Sequence, residues 1–210
     1  MIESILDQMA NVSKPQRKFL IVLLLLLSRL RGRANFRNLS RYSDHHEKTF
    51  SRWYRRGFDF VEFNRLGLEM TVEPEAVLIG AMDCSFIPKS GKHTEGLGKF
   101  YNGSRGKAEK GLEISTLAVV NVTENTAYNV STLQTPATMK NDESRVDFYL
   151  EHLEQNYQSL PKQIRYIVAD GFYTKKKYIE GVAQLNLYQI GKLDANLRLS
   201  RRAKSAWTQT

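Results

Sequence analysis

Val77-Leu-Ile-Gly-Ala-Met-Asp-Cys-Ser-Phe-Ile87 is a nearly unbroken apolar run that stops at Pro88, with one carboxylate, Asp83, in its middle. Its length, its composition and its proline stop read as a core strand. Burying an ionised carboxylate without a partner is costly, so an aspartate there calls for a cation or for hydrogen bonds. Downstream, Leu112 to Val122 and Ala127 to Leu133 read as two more strands joined by a turn at Glu124-Asn125, which makes a meander. Asp142 to Leu160 reads as a helix, because Val146, Leu150, Leu153, Tyr157 and Leu160 recur at helical spacing and Pro161 ends it. Ile164 to Ala169 is a short buried strand, Thr174 to Leu185 a helix, and Leu187 to Leu193 a last strand. The order β-β-β-α-β-α-β predicts an α/β fold, a mixed sheet with helices packed on it.

A second aspartate ends the strand Ile164 to Ala169: Asp170, followed by Gly171. If the first and fourth strands are neighbours, Asp83 and Asp170 converge. Paired carboxylates with no His or Cys beside them are hard oxygen ligands suited to Mg²⁺ or Mn²⁺. Two such ions about 3.5 to 4 Å apart activate a water or a 3′-hydroxyl for in-line attack on a phosphodiester. The plainer reading makes Asp170-Gly171 a strand-to-helix turn and Asp83 a hydrogen-bonded core residue.

Upstream the chain reads as helical. Phe19 to Leu27 is nine consecutive apolar residues, about 13 Å of helix against the roughly 30 Å of a bilayer core. It is too short to span, and Arg29, Arg31 and Arg33 stand where a signal peptide would have its cleavage site. A buried core helix is expected, and no membrane partner. Asp44-His-His-Glu47 has the spacing of a capping box and predicts a helix through Lys48, Phe50, Trp53 and Tyr54 to Arg56. Phe50, Trp53 and Tyr54 would share one face, leaving Lys48, Arg52, Arg55 and Arg56 to line another that suits DNA. The same arginines would also complement a helix C-terminus. Residues 57–75 read as a connector broken by Gly57, Gly67 and Pro74.

The 210 residues carry a net charge of +9, unevenly placed. Residues 1–60 hold 12 basic against 5 acidic side chains, 61–160 hold 9 against 14, and 161–210 hold 10 against 3. Basic charge gathered at both ends is the footprint of a polyanion partner, although a solvated basic surface would look the same. A single cysteine, Cys84, excludes a disulfide scaffold and fits a reducing cytosol. Between Lys89 and Lys110 lie Lys92, Lys99, Arg105 and Lys107 with Phe100 and Tyr101, a glycine-rich stretch that reads as a mobile DNA-contacting hairpin. Gly91-Lys-His93 is not a phosphate-binding loop, since no Ser or Thr follows the lysine. Lys175, Lys176 and Lys177 open the helix after Asp170, where they can meet a phosphate backbone or simply form a charged turn.

Three ordered blocks, Ala81 to Tyr101, Val168 to Tyr178 and Lys192 to Arg198, resemble bacterial insertion-sequence transposases of the DDE class. The resemblance covers about 65–205. It implies a ribonuclease-H-like mixed sheet preceded by a small helical domain, with 1–70 as a DNA-binding domain and 71–210 as an incomplete catalytic domain. It further implies Asp83 and Asp170 as catalytic, metal-binding acids and two Mg²⁺ or Mn²⁺ ions in the complete enzyme. The partner it implies is double-stranded DNA, element ends and target alike, with a homodimer on DNA as one arrangement and a cytoplasmic, nucleoid-associated location.

The family's third acid, a glutamate on a later helix, has no counterpart: from Ala195 to Thr210 there is no Asp or Glu. Tyr173, Lys176 and Glu180 imitate its spacing, but Glu180 lies about 9 Å along a helix leading away from Asp170. The expected function is therefore a transposase fragment for DNA cleavage and strand transfer, weak or inactive alone. A noncatalytic DNA-binding regulator and a ribonuclease-H-like nuclease remain as alternatives. A haloacid-dehalogenase-like phosphatase would need Asp-x-Asp, which Asp83-Cys-Ser85 lacks.

Overall fold

Ser13 opens the most apolar helix of the chain: its side chain accepts a hydrogen bond from the Gln16 N–H, and Pro15 stands in the first turn. In the computed structural model, which describes residues 1–140 and 143–192, five helices precede the first strand. They are α1 (Ile2–Gln8), α2 (Lys14–Arg29), α3 (Phe36–Arg41), α4 (Glu47–Tyr54) and α5 (Phe60–Thr71). Together they form one compact unit, Met1–Glu73, and a second begins at Pro74. Phe19, Leu20 and Leu26 of α2 are buried with Ile5, Leu6 and Met9 of α1, Leu39 of α3, Phe50 of α4 and Leu66 of α5. The apolar run is thus a core helix, and among the described residues no helix is long and apolar enough to cross a membrane.

Two local expectations fail in this unit. The connector over 57–75 contains α5, whose N-cap Asp59 accepts from the Glu62 N–H. Gly67 does not break it; a Cβ there would meet Cδ1 of Ile5 at 3.6 Å, an ordinary contact between α5 and α1. At α4 the cap is His46, whose Nδ1 accepts from the Lys48 N–H at 3.2 Å, rather than Asp44. The helix starts at Glu47, and Asp44 is two residues too early to reach its free N–H groups.

Among the described residues the second unit is built on six strands: β1 (Leu78–Pro88), β2 (Gly98–Asn102), β3 (Lys107–Asn121), β4 (Thr126–Gln134), β5 (Tyr166–Ala169) and β6 (Tyr188–Ile190). They form one sheet in the order β2-β3-β1-β5-β6, with β4 also on β3. β1, β3 and β4 pair antiparallel in sequence, which is the predicted meander, while β5 runs parallel to β1 and β6 parallel to β5. This is the ribonuclease-H-like mixed sheet. β2 is an addition: five residues with one buried side chain, Phe100, hidden from sequence reading by the glycines around it.

The two helices of this unit start later than expected. α6 (Arg145–Asn156) is opened by Ser144 and Asp147, which form a reciprocal capping box, and it ends in a tight turn over Tyr157–Ser159. α7 (Lys176–Gln184) begins after a turn over Gly171–Tyr173. It presses on α6 at Gly181, where a Cβ would fall 2.4 Å from Cδ2 of Leu150. The expected last strand shortens to Tyr188–Ile190, and its predicted end, Leu193, lies outside the described residues.

Candidate active site

Gly80, Ala81 and Met82 of β1 stand opposite Ile167, Val168 and Ala169 of β5 in parallel register. Asp83 is the next residue on β1, and Asp170, still in extended conformation, is the first residue past β5. Paired residues of parallel strands point to the same face, and faces alternate along each strand. Met82, Ile167 and Ala169 are buried, so the two carboxylates share the other face. α6 packs on the Met82 side, where Leu117 and Ser115 of β3 also point. Half-buried Ile79, Ala81, Ile114, Thr116 and Val168 floor the face around the carboxylates.

Asp83 is exposed rather than enclosed in the core. The apolar run suggested burial on both faces, but among the described residues helices cover one. Even so, the protein around it strips away enough water to push the Asp83 carboxyl above its usual range. The Cys84 N–H opposes this, and the like charge of Asp170 adds to it. Asp170 is also exposed; its Oδ1 accepts from the Phe172 N–H at 2.9 Å, which fixes the carboxylate at the mouth of the turn after β5. Two hard oxygen donors on one face, one of them raised in pKa mainly by desolvation, form a donor set that fits a divalent cation. Among the described residues no cluster of three or more His, Cys, Asp or Glu side chains suits a metal. Glu180, on α7, is exposed and paired with Lys176 at 3.7 Å. Asp194, with nearly all of the block from Lys192 to Arg198, lies outside the described residues.

The predicted basic residues divide by their partners. Lys48, Arg52 and Arg55 are exposed on and just after α4, while the Arg56 guanidinium lies 4.5 Å over the Trp53 ring. The aromatic face of that helix is narrower than expected: Phe50 is buried, whereas Tyr54 is 80% exposed and edge-on to Phe36. Lys89, Lys92 and Lys99 are exposed. Arg105 donates to Oε1 of Glu109 at 3.0 Å, with Lys107 at 3.6 Å from the same oxygen. Lys175 is exposed ahead of α7, but Lys177 is held by Asp147 of α6 at 2.6 Å.

Sequence reading missed a buried polar cluster under β1. Glu113 of β3 is 3% exposed and accepts from the Tyr149 hydroxyl at 2.5 Å, with Nη1 of Arg145 at 3.7 Å. Arg145 also donates to the Lys99 carbonyl at 3.0 Å and lies 4.7 Å over the Phe100 ring, so it ties β2, β3 and α6 together. Burial, then the Glu113 charge, push the Cys84 thiol up, which leaves it a poor nucleophile. His152 bridges the hydroxyls of Ser115 and Ser131 at 2.8 and 2.9 Å, and burial pushes its pKa down to about 4. The alternation of Glu113, Ser115, Leu117 and Val119 along β3 was the available signal: it places the glutamate on the packed face.

A family model described as DDE superfamily endonuclease matches residues 64–209. No curated protein matches the chain. Among solved structures, a piggyBac transposase synaptic complex with hairpin DNA is 13% identical with a TM-score of 0.44, over all of this chain and 43% of that one. Endonuclease V from Ciona intestinalis, in complex with a 24mer DNA containing an inosine followed by a ribo-adenosine, is 12% identical with a TM-score of 0.33. That match covers 78% of this chain and 67% of that one. The chain therefore spans less than half the length of the piggyBac transposase chain.

Proposed function

We propose, for a chain that belongs to the DDE superfamily endonuclease family, that it cleaves DNA phosphodiesters at the face shared by Asp83 and Asp170. The observation that carries this reading is the parallel register of Met82 with Ala169, which makes the two aspartates neighbours. Asp83 and Asp170 would hold Mg²⁺ or Mn²⁺, and the bound metal would supply an activated water or 3′-hydroxyl and charge neutralisation at the leaving oxygen. The part played by the chain itself is orientation. The Phe172 N–H pins the Asp170 carboxylate, the Cys84 N–H engages that of Asp83, and the surrounding protein limits water around Asp83.

The wider activity we infer is DNA transposition: cleavage at element ends and joining of the 3′-hydroxyl to target DNA. Exposed Lys48, Arg52 and Arg55 around α4, in the helical unit, support duplex binding, and Lys89, Lys92 and Lys99 support it in the second unit. Two carboxylates hold divalent ions weakly, so cleavage by this chain is expected to be slow and to need millimolar metal. The test is nicking of a supercoiled plasmid in Mg²⁺, Mn²⁺, Ca²⁺ or chelator. Slow nicking in Mn²⁺ that disappears in Asp83→Asn and Asp170→Asn supports the reading, and nicking indifferent to both changes refutes it.

One observation favours a second reading. Among the described residues no third acid joins the pair, as in a noncatalytic regulator that binds DNA without metal. That reading predicts no nicking in any metal and duplex affinity unchanged by the double Asp→Asn variant.

A further inference from the structure

β3 runs from Lys107 to Asn121 and pairs without a bulge both with β1 and, at its start, with β2. Thr116, the partner of Asp83, therefore shares its face with Ile114, Leu112, Lys110 and Ala108. Lys110 pairs with Lys99, and Ala108 with Tyr101. Directly opposed side chains of an antiparallel pair point the same way. The hairpin of β2 and early β3 thus presents Lys99, Lys110 and Tyr101 on the sheet face that carries Asp83 and Asp170. The six-residue step from Thr116 to Lys110 is about 20 Å of strand.

The other side of this hairpin is clamped. Phe100 is fully buried under the Arg145 guanidinium, and Arg145 also binds the Lys99 carbonyl. Arg105 and Lys107 are turned to Glu109. Lys99 and Lys110 are exposed and Tyr101 is 61% exposed. Lysines on an edge strand can serve simply to discourage strand-to-strand aggregation. An exposed tyrosine beside this lysine pair works against that purpose and leaves the combination unexplained. A ring next to paired cations is what an unpaired nucleic-acid strand requires, because its bases offer free faces for stacking while its phosphates need charge. An intact duplex offers no such base face.

We propose that Lys99, Lys110 and Tyr101 form a track for an unpaired DNA strand leading to the carboxylate pair, with Tyr101 stacked on a base and the lysines on phosphates. This rests on the reading that Asp83 and Asp170 act on DNA, and it adds the form of the substrate: strands separated about 20 Å from the scissile phosphate.

The test is fluorescence anisotropy of the full chain, in chelator, with a labelled 20-nucleotide oligo-dT and a labelled 20-base-pair duplex. Tyr101→Ala weakens oligo-dT binding roughly ten-fold, Tyr101→Phe retains it, and duplex affinity moves less than about two-fold. The double change Lys99→Ala and Lys110→Ala lowers the salt slope for oligo-dT by about 1.4. Thermal melts confirm folding, and Tyr101→Thr, a strand-favouring residue without a ring, carries the same expectation should the alanine variant melt early. Unchanged oligo-dT affinity in the ringless variants, or an equal loss for duplex and single strand, overturns the track. Nicking assays on the same preparations keep the two ideas apart. Nicking that survives Asp83→Asn removes the catalytic reading while Tyr101-dependent binding stands. Asp83-dependent nicking with parental oligo-dT binding by Tyr101→Ala removes the track alone.

Discussion

Asp83 and Asp170 each follow one member of a directly paired couple, Met82 and Ala169, on neighbouring parallel strands. The relationship is made of backbone hydrogen bonds between β1 and β5, so side-chain substitution at either aspartate leaves the frame intact. Desolvation, and then the like charge of Asp170, push the Asp83 carboxyl up, and an amide at that position relieves both. Asp83→Asn is therefore expected to leave the melting temperature of the metal-free chain unchanged or slightly higher. A clear loss of stability in chelator would show that the carboxylate is structural instead.

The fold was legible wherever apolar pattern and burial coincide. β1, β3, β4 and β5 follow their apolar runs, and α6 and α7 their helical spacing, with Pro88 and Pro161 as stops. α5 was hidden by Gly57 and Gly67, because a glycine inside a helix reads as a break when only the sequence pattern is used. The pairing of Asp83 with Asp170 could be anticipated from strand order, since both end the level at which β1 and β5 meet. Their exposure could not, because an apolar run does not say how many faces are covered. The fate of the lysines was equally hidden: Lys177 and Lys99 look alike in sequence, and only three-dimensional contact gives the first to Asp147.

The buried cluster under β1 carries stability. Tyr149→Phe removes a hydroxyl that donates to the carboxylate of Glu113 at 2.5 Å inside the core. Leaving that oxygen unsatisfied is expected to cost about 1–3 kcal/mol, read as a lower urea midpoint with unchanged slope. No shift in midpoint would mean that water or Arg145 replaces the bond without loss.

Gly181→Ala tests the contact between α6 and α7. Alanine is the better helix former by about 1 kcal/mol, yet its Cβ would fall 2.4 Å from Cδ2 of Leu150. Overpacking is expected to win, with a net destabilisation of about 1–2 kcal/mol. A rise in stability would show that Leu150 moves aside freely.

His152 sets an acid limit. Its pKa in the fold is pushed down to about 4 by burial, against an ordinary value of 6.5, so the unfolded chain binds the proton more readily. Its neutral form contributes fully above pH 6.5, and the contribution is lost as pH falls from 6.5 towards 4. The total is on the order of 3 kcal/mol. Melting temperatures measured from pH 7.5 to 4.5 should fall more steeply for the parent than for His152→Asn, which can still engage a serine hydroxyl. Parallel curves would contradict the assignment.

In the proposed mechanism Asp83 and Asp170 jointly hold a divalent cation. The most direct measurement is a Mn²⁺ titration of the DNA-free chain followed by electron paramagnetic resonance, with Asp83→Asn and Asp170→Asn alongside. The account predicts weak, saturable binding by the parent and a large loss in either single variant, because the two carboxylates act on one ion. Binding that is the same in all three proteins would contradict it.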